Sequence, residues 1–93
     1  MEIRFYIDPR TGSPHLYRHH VTEEEVEEVL AHPLEDRAGA EGARVAIGRT
    51  RGGRYLRVVY APDPSPGSTF VITAYELGAK AKRALQRRRR KKR

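Results

Sequence analysis

Arg44 to Tyr60 reads RVAIGRTRGGRYLRVVY, two β-branched and aromatic runs on either side of Gly52-Gly53. This layout predicts a two-residue hairpin, in which both central residues take positive φ. Arg51 then faces Arg54, Arg49 faces Leu56, Ile47 faces Val58 and Val45 faces Tyr60. Opposed residues share one face of a sheet. That face is apolar away from the turn (Val45, Ile47, Leu56, Val58, Tyr60) and belongs under the helices. At the turn it becomes a basic rim of Arg49, Arg51 and Arg54. The opposite face carries Ala46, Gly48, Thr50, Tyr55, Arg57 and Val59. Arginine is among the residues least often buried. Charge on a hairpin either keeps a sheet edge soluble or, through the guanidinium fork, cradles phosphate.

Downstream, TFVITAYEL (Thr69 to Leu77) has the composition of a strand. Its hydrophobicity assigns Phe70, Ile72 and Ala74 to the apolar face and Val71, Thr73 and Tyr75 to the other. Tyr55, Arg57 and Tyr75 then line an open groove beside the basic rim. Upstream, Thr22 followed by Glu25 matches a capping box, Val21 staples against Val26, and Val26, Val29 and Leu30 form the apolar stripe of a helix that Pro33 stops. EIRFYI (Glu2 to Ile7) predicts a first strand and DPRTGSP a loop. HLYRHH fits either a short helix or an extended lead-in. A short strand is expected from Leu34 to Arg37, and PDPSPGS is a stiff proline-rich turn. The expected fold class is α+β: a small antiparallel sheet, a meander of three to four strands plus an N-terminal strand, packed on one or two helices.

At 93 residues the chain has room for one core. Residues 1–78 form the expected domain, and residues 79–93 a basic helix fraying to a disordered tail. Ten of the 19 Lys and Arg residues lie in that tail, with no acid among them; residues 1–78 hold nine basic and 12 acidic groups. A mildly acidic body thus carries a strongly cationic end, which binds polyanions with steep salt dependence. The absence of cysteine excludes disulfides and thiolate metal sites. The N-terminal residues lack the layout of a signal peptide, and no apolar run approaches the ~18 residues of a membrane span. A cytoplasmic protein without membrane attachment is expected. His15 and His19 have helical spacing for a metal but no third ligand at matching distance, so neither metal nor cofactor is expected.

FYIDP…HLYRHHVT, AHPLED, RVAIGRTRGGRYLRVVY and FVITAYEL together resemble BrnT-like proteins, especially an uncharacterised bacterial branch of them. The similarity spans most of residues 3–85. BrnT-like proteins belong to the RelE-type toxin superfamily, small αβ domains with a helix pair and an antiparallel sheet. The resemblance implies a ribonuclease that stops translation and is silenced by a cognate antitoxin. It matches Arg49 to the family's arginine after the glycine of the third strand. Where the pattern has glycine after His19 this chain has His20, and where it has a basic pair near the end of the last strand this chain has Tyr75-Glu76.

Cleaving RNA through its own 2′-hydroxyl requires removing a proton, stabilising charge on the phosphoryl oxygens and protonating the leaving oxygen. Arg49, Arg54 and Arg57 are the candidates for phosphate, and Tyr75 and His19 for proton handling. Arg51, Arg54, Tyr55, Lys80, Lys82, Arg83, Arg87 and Arg88 are the candidates for holding the nucleic acid. The leading expectation is a type II toxin endoribonuclease acting on ribosome-associated mRNA, with RNA or the ribosome, an antitoxin and a second copy as candidate partners. The alternatives are a non-catalytic nucleic-acid-binding module on the same scaffold, and an interaction protein that docks a segment on its sheet.

Overall fold

The computed structural model describes residues 2–62 and 67–91. Four strands, β4 (Glu35–Ala38), β5 (Arg44–Arg49), β6 (Tyr55–Pro62) and β7 (Ser68–Glu76), form an antiparallel meander. The N-terminal strand β1 (Glu2–Phe5) adds to its far side, parallel to β7, giving a mixed sheet of order β1-β7-β6-β5-β4. Two helices, α1 (Glu23–Ala31) and α2 (Ala79–Lys91), complete an α+β fold. Within the proline-rich turn, residues 63–66 lie outside the described ones, as do Lys92 and Arg93. Among the described residues no helix is long and apolar enough to cross a membrane.

The expected strand Glu2 to Ile7 is broken at Tyr6. Ile7–Asp8 (β2) instead pairs with Ser13–Pro14 (β3) in a separate two-stranded ribbon. Asp8 makes that turn: its carboxylate accepts the N–H of Arg10 at 2.9 Å and its carbonyl accepts those of Thr11 and Gly12. The ambiguous HLYRHH segment is a 3₁₀ helix, His15–His19, ending on His20 in the left-handed region at φ 57°. The capping box of α1 is formed in full. Thr22 Oγ1 accepts from the Glu25 N–H at 3.2 Å, and Glu25 accepts from the Thr22 N–H at 3.0 Å.

The hairpin register differs from the expected one by a single residue. Arg49 pairs with Tyr55, Gly48 with Leu56, Ile47 with Arg57 and Ala46 with Val58. The loop holds three residues rather than two. Thr50 closes it, donating its N–H to the Arg54 carbonyl at 2.8 Å while its hydroxyl accepts from the Arg54 N–H. Gly53 has φ +91° and Gly52 is not in the positive region, so the two-residue turn with two positive φ values does not form. A one-residue slip exchanges the two faces of a strand relative to its partner. Arg49, Arg51 and Arg54 therefore do not make one rim.

Both faces of the sheet are packed. On the first, Ala46, Leu56, Val58, Val71 and Ala74 meet Leu16, Val21, Val26 and Val29. Gly48 lies beneath α1, where a Cβ would stand 3.0 Å from Val29 Cγ1, so the helix settles where the strand is smallest. On the second face, Ile47 packs with Leu77 and Leu85, flanked by Leu34, Val45, Tyr55 and Ala81. Leu85 is 1% exposed, and α2 continues to Lys91 rather than fraying after its first turns. Residues 79–91 are thus part of the packed body. A register shift between Val59 and Tyr60 leaves Ile72 exposed and changes the parity of β7. Val71 and Ala74 consequently share the α1 face, whereas Phe70 and Ile72 do not join Ala74 as the hydrophobicity pattern suggested.

Candidate nucleic-acid interface

The observed register sorts the four hairpin arginines. Arg54 turns toward α1, with Nη1 2.9 Å from both carboxylate oxygens of Glu25 and from the His20 carbonyl; Nη2 is 3.3 Å from Glu76. It ties the start of α1, the end of the 3₁₀ helix and the end of β7 together. Its charge is already matched, so the structure takes it out of the expected phosphate-binding set. Arg51, at the turn, is nearly fully exposed; its Nε is 3.8 Å from Glu28, while its backbone N–H donates to the same carboxylate at 3.1 Å. An exposed pair of this kind contributes little.

Arg49 and Arg57 turn the other way. Across β5, β6 and β7 the α2 face presents Arg49 opposite Tyr55, and Arg57 opposite Tyr75. The Arg49 guanidinium lies 5.8 Å from the centre of the Tyr55 ring, and Lys82 Nζ from α2 lies 4.8 Å from it. Arg57 sits 5.9 Å from the Tyr75 ring and donates a long hydrogen bond, 3.5 Å, to its hydroxyl. Among the described residues neither Arg49, Arg57 nor Lys82 has a carboxylate at ion-pair distance. Arg57 Nε is buried without an acceptor, and so is Thr73 Oγ1, one pair further along the same face. Among the described residues the half-buried Arg57 guanidinium meets only the Tyr75 phenol, so its charge is poorly compensated.

His19 belongs to the same group. Beyond the end of β1 the 3₁₀ helix runs beside β7, placing the His19 ring 5.9 Å from that of Tyr75. Behind it the rings of His15 and Tyr6 follow at 5.6 and 6.1 Å. His15 Nδ1 lies 3.5 Å from Asp8, and Arg18 Nη1 lies 3.8 Å from the same oxygen. The Asp8 carboxyl is held below its ordinary value, chiefly by the Arg10 N–H and against the effect of burial, with His15 adding to the shift. Arg57, Tyr75, His19, His15 and Asp8 thus run in line from the sheet face to the β2–β3 turn.

On α2, Lys80, Lys82, Arg83 and Arg87 are exposed. Arg88 is not available: it makes a bidentate pair with Glu35 at 2.8 and 2.9 Å, which raises its already high pKa, and it anchors α2 to β4. Arg89 and Arg90 were absent from the expected set, yet with Arg49, Tyr55, Leu34 and Gln86 they line a cleft of about 520 Å³. The signal was in the sequence. Ala81, Leu85 and Arg88 recur at helical spacing and mark the inward stripe, so Lys82, Arg89 and Arg90 fall on its flanks. No group of three His, Asp or Glu residues suited to a metal ion occurs among the described residues.

A family model described as a domain of unknown function, DUF4258, matches residues 15–76, well over half of the chain. No curated protein matches the chain, and no solved structure does. The chain belongs to the DUF4258 family. The matched segment begins at His15 and ends at Glu76, and so includes His19, Arg49, Tyr55, Arg57 and Tyr75 while excluding α2.

Proposed function

We propose that this DUF4258 domain is an RNA-cleaving protein of the BrnT-like, RelE-type kind: a type II toxin endoribonuclease directed at ribosome-associated mRNA. The observation that carries the reading is Arg57, half-buried, unmatched by any carboxylate among the described residues, and grouped with Tyr75 and His19. Arg49 and Lys82 extend the positive face along the strand. Support for the family resemblance comes from His20, whose left-handed backbone is the kind of position that favours the glycine of the BrnT pattern.

The chemistry assigned to these groups is phosphoryl transfer within the RNA. The 2′-oxygen bonds to the adjacent phosphorus, and its proton passes to His19. Arg57 and Arg49 stabilise the charge on the non-bridging oxygens. The bond to the 5′-oxygen breaks, and that oxygen takes the Tyr75 phenolic proton. The products are a 2′,3′-cyclic phosphate and a 5′-hydroxyl end. The resemblance adds a cognate antitoxin, whose place would be over this basic face.

The test uses the full chain, because Leu85 makes α2 part of the core. Wild type, Arg57→Ala and Tyr75→Phe are induced in a bacterial host, with growth followed and mRNA 5′ ends mapped. Growth arrest with new 5′-hydroxyl ends is expected for wild type, and both variants should lose about 10²-fold or more in cleavage. A folded wild type that binds RNA and leaves it uncut would replace this reading with the non-catalytic binding module.

A further inference from the structure

Two clefts of similar size flank Arg49. The one beside α1, about 490 Å³, is walled by Glu24, Glu27 and Glu28, with His32 and Arg51. Its carboxylates repel phosphate. The one beside α2, about 520 Å³, has no acid in its lining: Leu34, Tyr55 and Leu85 supply apolar surface, Gln86 an amide, and Arg89 and Arg90 further cations. That volume falls within the range of small-ligand sites, roughly 300–1,000 Å³. Lys82 adds a cation at the same wall, its Nζ 4.8 Å from the centre of the Tyr55 ring. Among the described residues neither Arg49 nor Arg90 has a carboxylate at ion-pair distance. The backbone at Leu34 is already engaged, its N–H donating to the Ile47 carbonyl at 2.8 Å and its carbonyl accepting from Arg89 Nη1 at 3.1 Å. Leu34 therefore offers no strand edge on which a peptide could pair. That single bond leaves most donors of the Arg89 fork for an anion.

We infer that the cleft beside α2 holds one nucleotide of a single-stranded RNA, its base inward and its phosphate outward. The base lies against Leu34, Leu85 and the Tyr55 ring. The Gln86 amide presents both a donor and an acceptor to the edge of the base. Arg89 and Arg90 close on the phosphate through forks that match its oxygens. Single strands are recognised in this manner, with bases splayed onto apolar and aromatic surface while cations follow the backbone. A duplex does not fit, because its bases are stacked on one another and paired along the edge that Gln86 reads. The inference rests on the RNA reading proposed above and adds to it a second point of hold, which Arg57, Tyr75 and His19 do not line. Gln86, Arg89 and Arg90 stand outside the family-matched segment 15–76, so α2 builds this hold.

The experiment is fluorescence anisotropy on the full chain at fixed salt, with a short labelled 2′-O-methyl RNA strand that cannot be cut through its own 2′-oxygen. An abasic strand of equal length carries the same phosphates without bases. Wild type should bind the RNA about tenfold more tightly than the abasic strand, and a duplex no more tightly than the abasic strand. Gln86→Ala with Arg90→Ala should lose about tenfold for the RNA, whereas Lys91→Ala, which removes one charge from the same helix outside the cleft, should lose no more than about threefold. Gln86, Arg90 and Lys91 are exposed, and circular dichroism checks that each variant is folded. Adenosine monophosphate should displace the RNA only at roughly millimolar concentration, and polyglutamate no better than the abasic strand. Displacement by the mononucleotide at micromolar concentration would make a free nucleotide the ligand, and displacement by polyglutamate as good as by RNA would make it an acidic protein segment; either overturns the inference. Equal affinity for RNA and abasic strand, or a Gln86/Arg90 variant that binds like Lys91→Ala, overturns it too and leaves the Arg57 reading standing, since cleavage of unmodified RNA is scored separately. A wild type that prefers RNA over the abasic strand, loses that preference in the Gln86/Arg90 variant and cuts no unmodified RNA keeps the cleft and removes the nuclease.

Discussion

The two faces of the hairpin hold the same residue type in opposite circumstances. On the α1 face Arg54 is enclosed by Glu25, Glu76 and a backbone carbonyl. On the α2 face Arg57 lies beside the Tyr75 phenol and Arg49 beside the Tyr55 ring, with no carboxylate of the described residues at ion-pair distance from either. Only two residues lie between Arg54 and Arg57, yet one ties three elements together and the other meets no carboxylate among the described residues. Counting arginines cannot make that division; the parity of the strand does.

The largest effect expected from breaking the contrast is on α2. Leu85→Ala should cost about 2–5 kcal/mol in chemical denaturation, since it empties the centre of the second core. A loss within the error of the measurement would show α2 to be an appendage after all.

Arginine replacements come next and test the contrast directly. Arg54→Ala should lower stability by about 1–2 kcal/mol by stranding Glu25, while RNA affinity at fixed salt stays within about twofold. Arg57→Ala should do the reverse: stability within about 0.5 kcal/mol of wild type and RNA binding about tenfold weaker. Equal losses of affinity in the two variants would mean that net charge alone drives binding.

The smallest expected effect is in acid. The folded Asp8 carboxyl titrates below its ordinary value of 3.8, so its contribution is complete above that pH and fades as the pH falls through the lower, folded value. Asp8→Asn should flatten the stability profile in that acid range and leave its shape near neutrality unchanged, as followed by thermal melts at stepped pH.

Much of this architecture is legible from residues alone. Thr22 and Glu25 announce the start of α1, Pro33 its end, and the strands from Arg44 to Glu76 fall where β-branched residues cluster. The register was not legible, because Gly52-Gly53 matches a two-residue turn while the hydroxyl of Thr50 closes a three-residue one. The small residues Ala46 and Gly48 carried the correct information: a strand face that lacks bulk is the face a helix can approach. The site was half legible for the same reason. Arg57 and Tyr75 were placed together, but Arg54 was grouped with the free arginines instead of with Glu25 and Glu76. Leu85 is a lone large apolar residue in a cationic run, too weak a period to outweigh the charge around it.

The shift between Val59 and Tyr60 acts as a phase change partway along β7. Before it, odd-numbered residues serve the α1 core, as Val71 does; after it, odd-numbered residues serve the open face, as Tyr75 does. The strand therefore runs in two phases: Val71 reaches the α1 core from one and Ala74 from the other, while Tyr75 stands beside Arg57. Deleting Ile72 would merge them, sending Val71 outward or Tyr75 inward, so the spacing of the strand is as much a determinant of the surface as its composition.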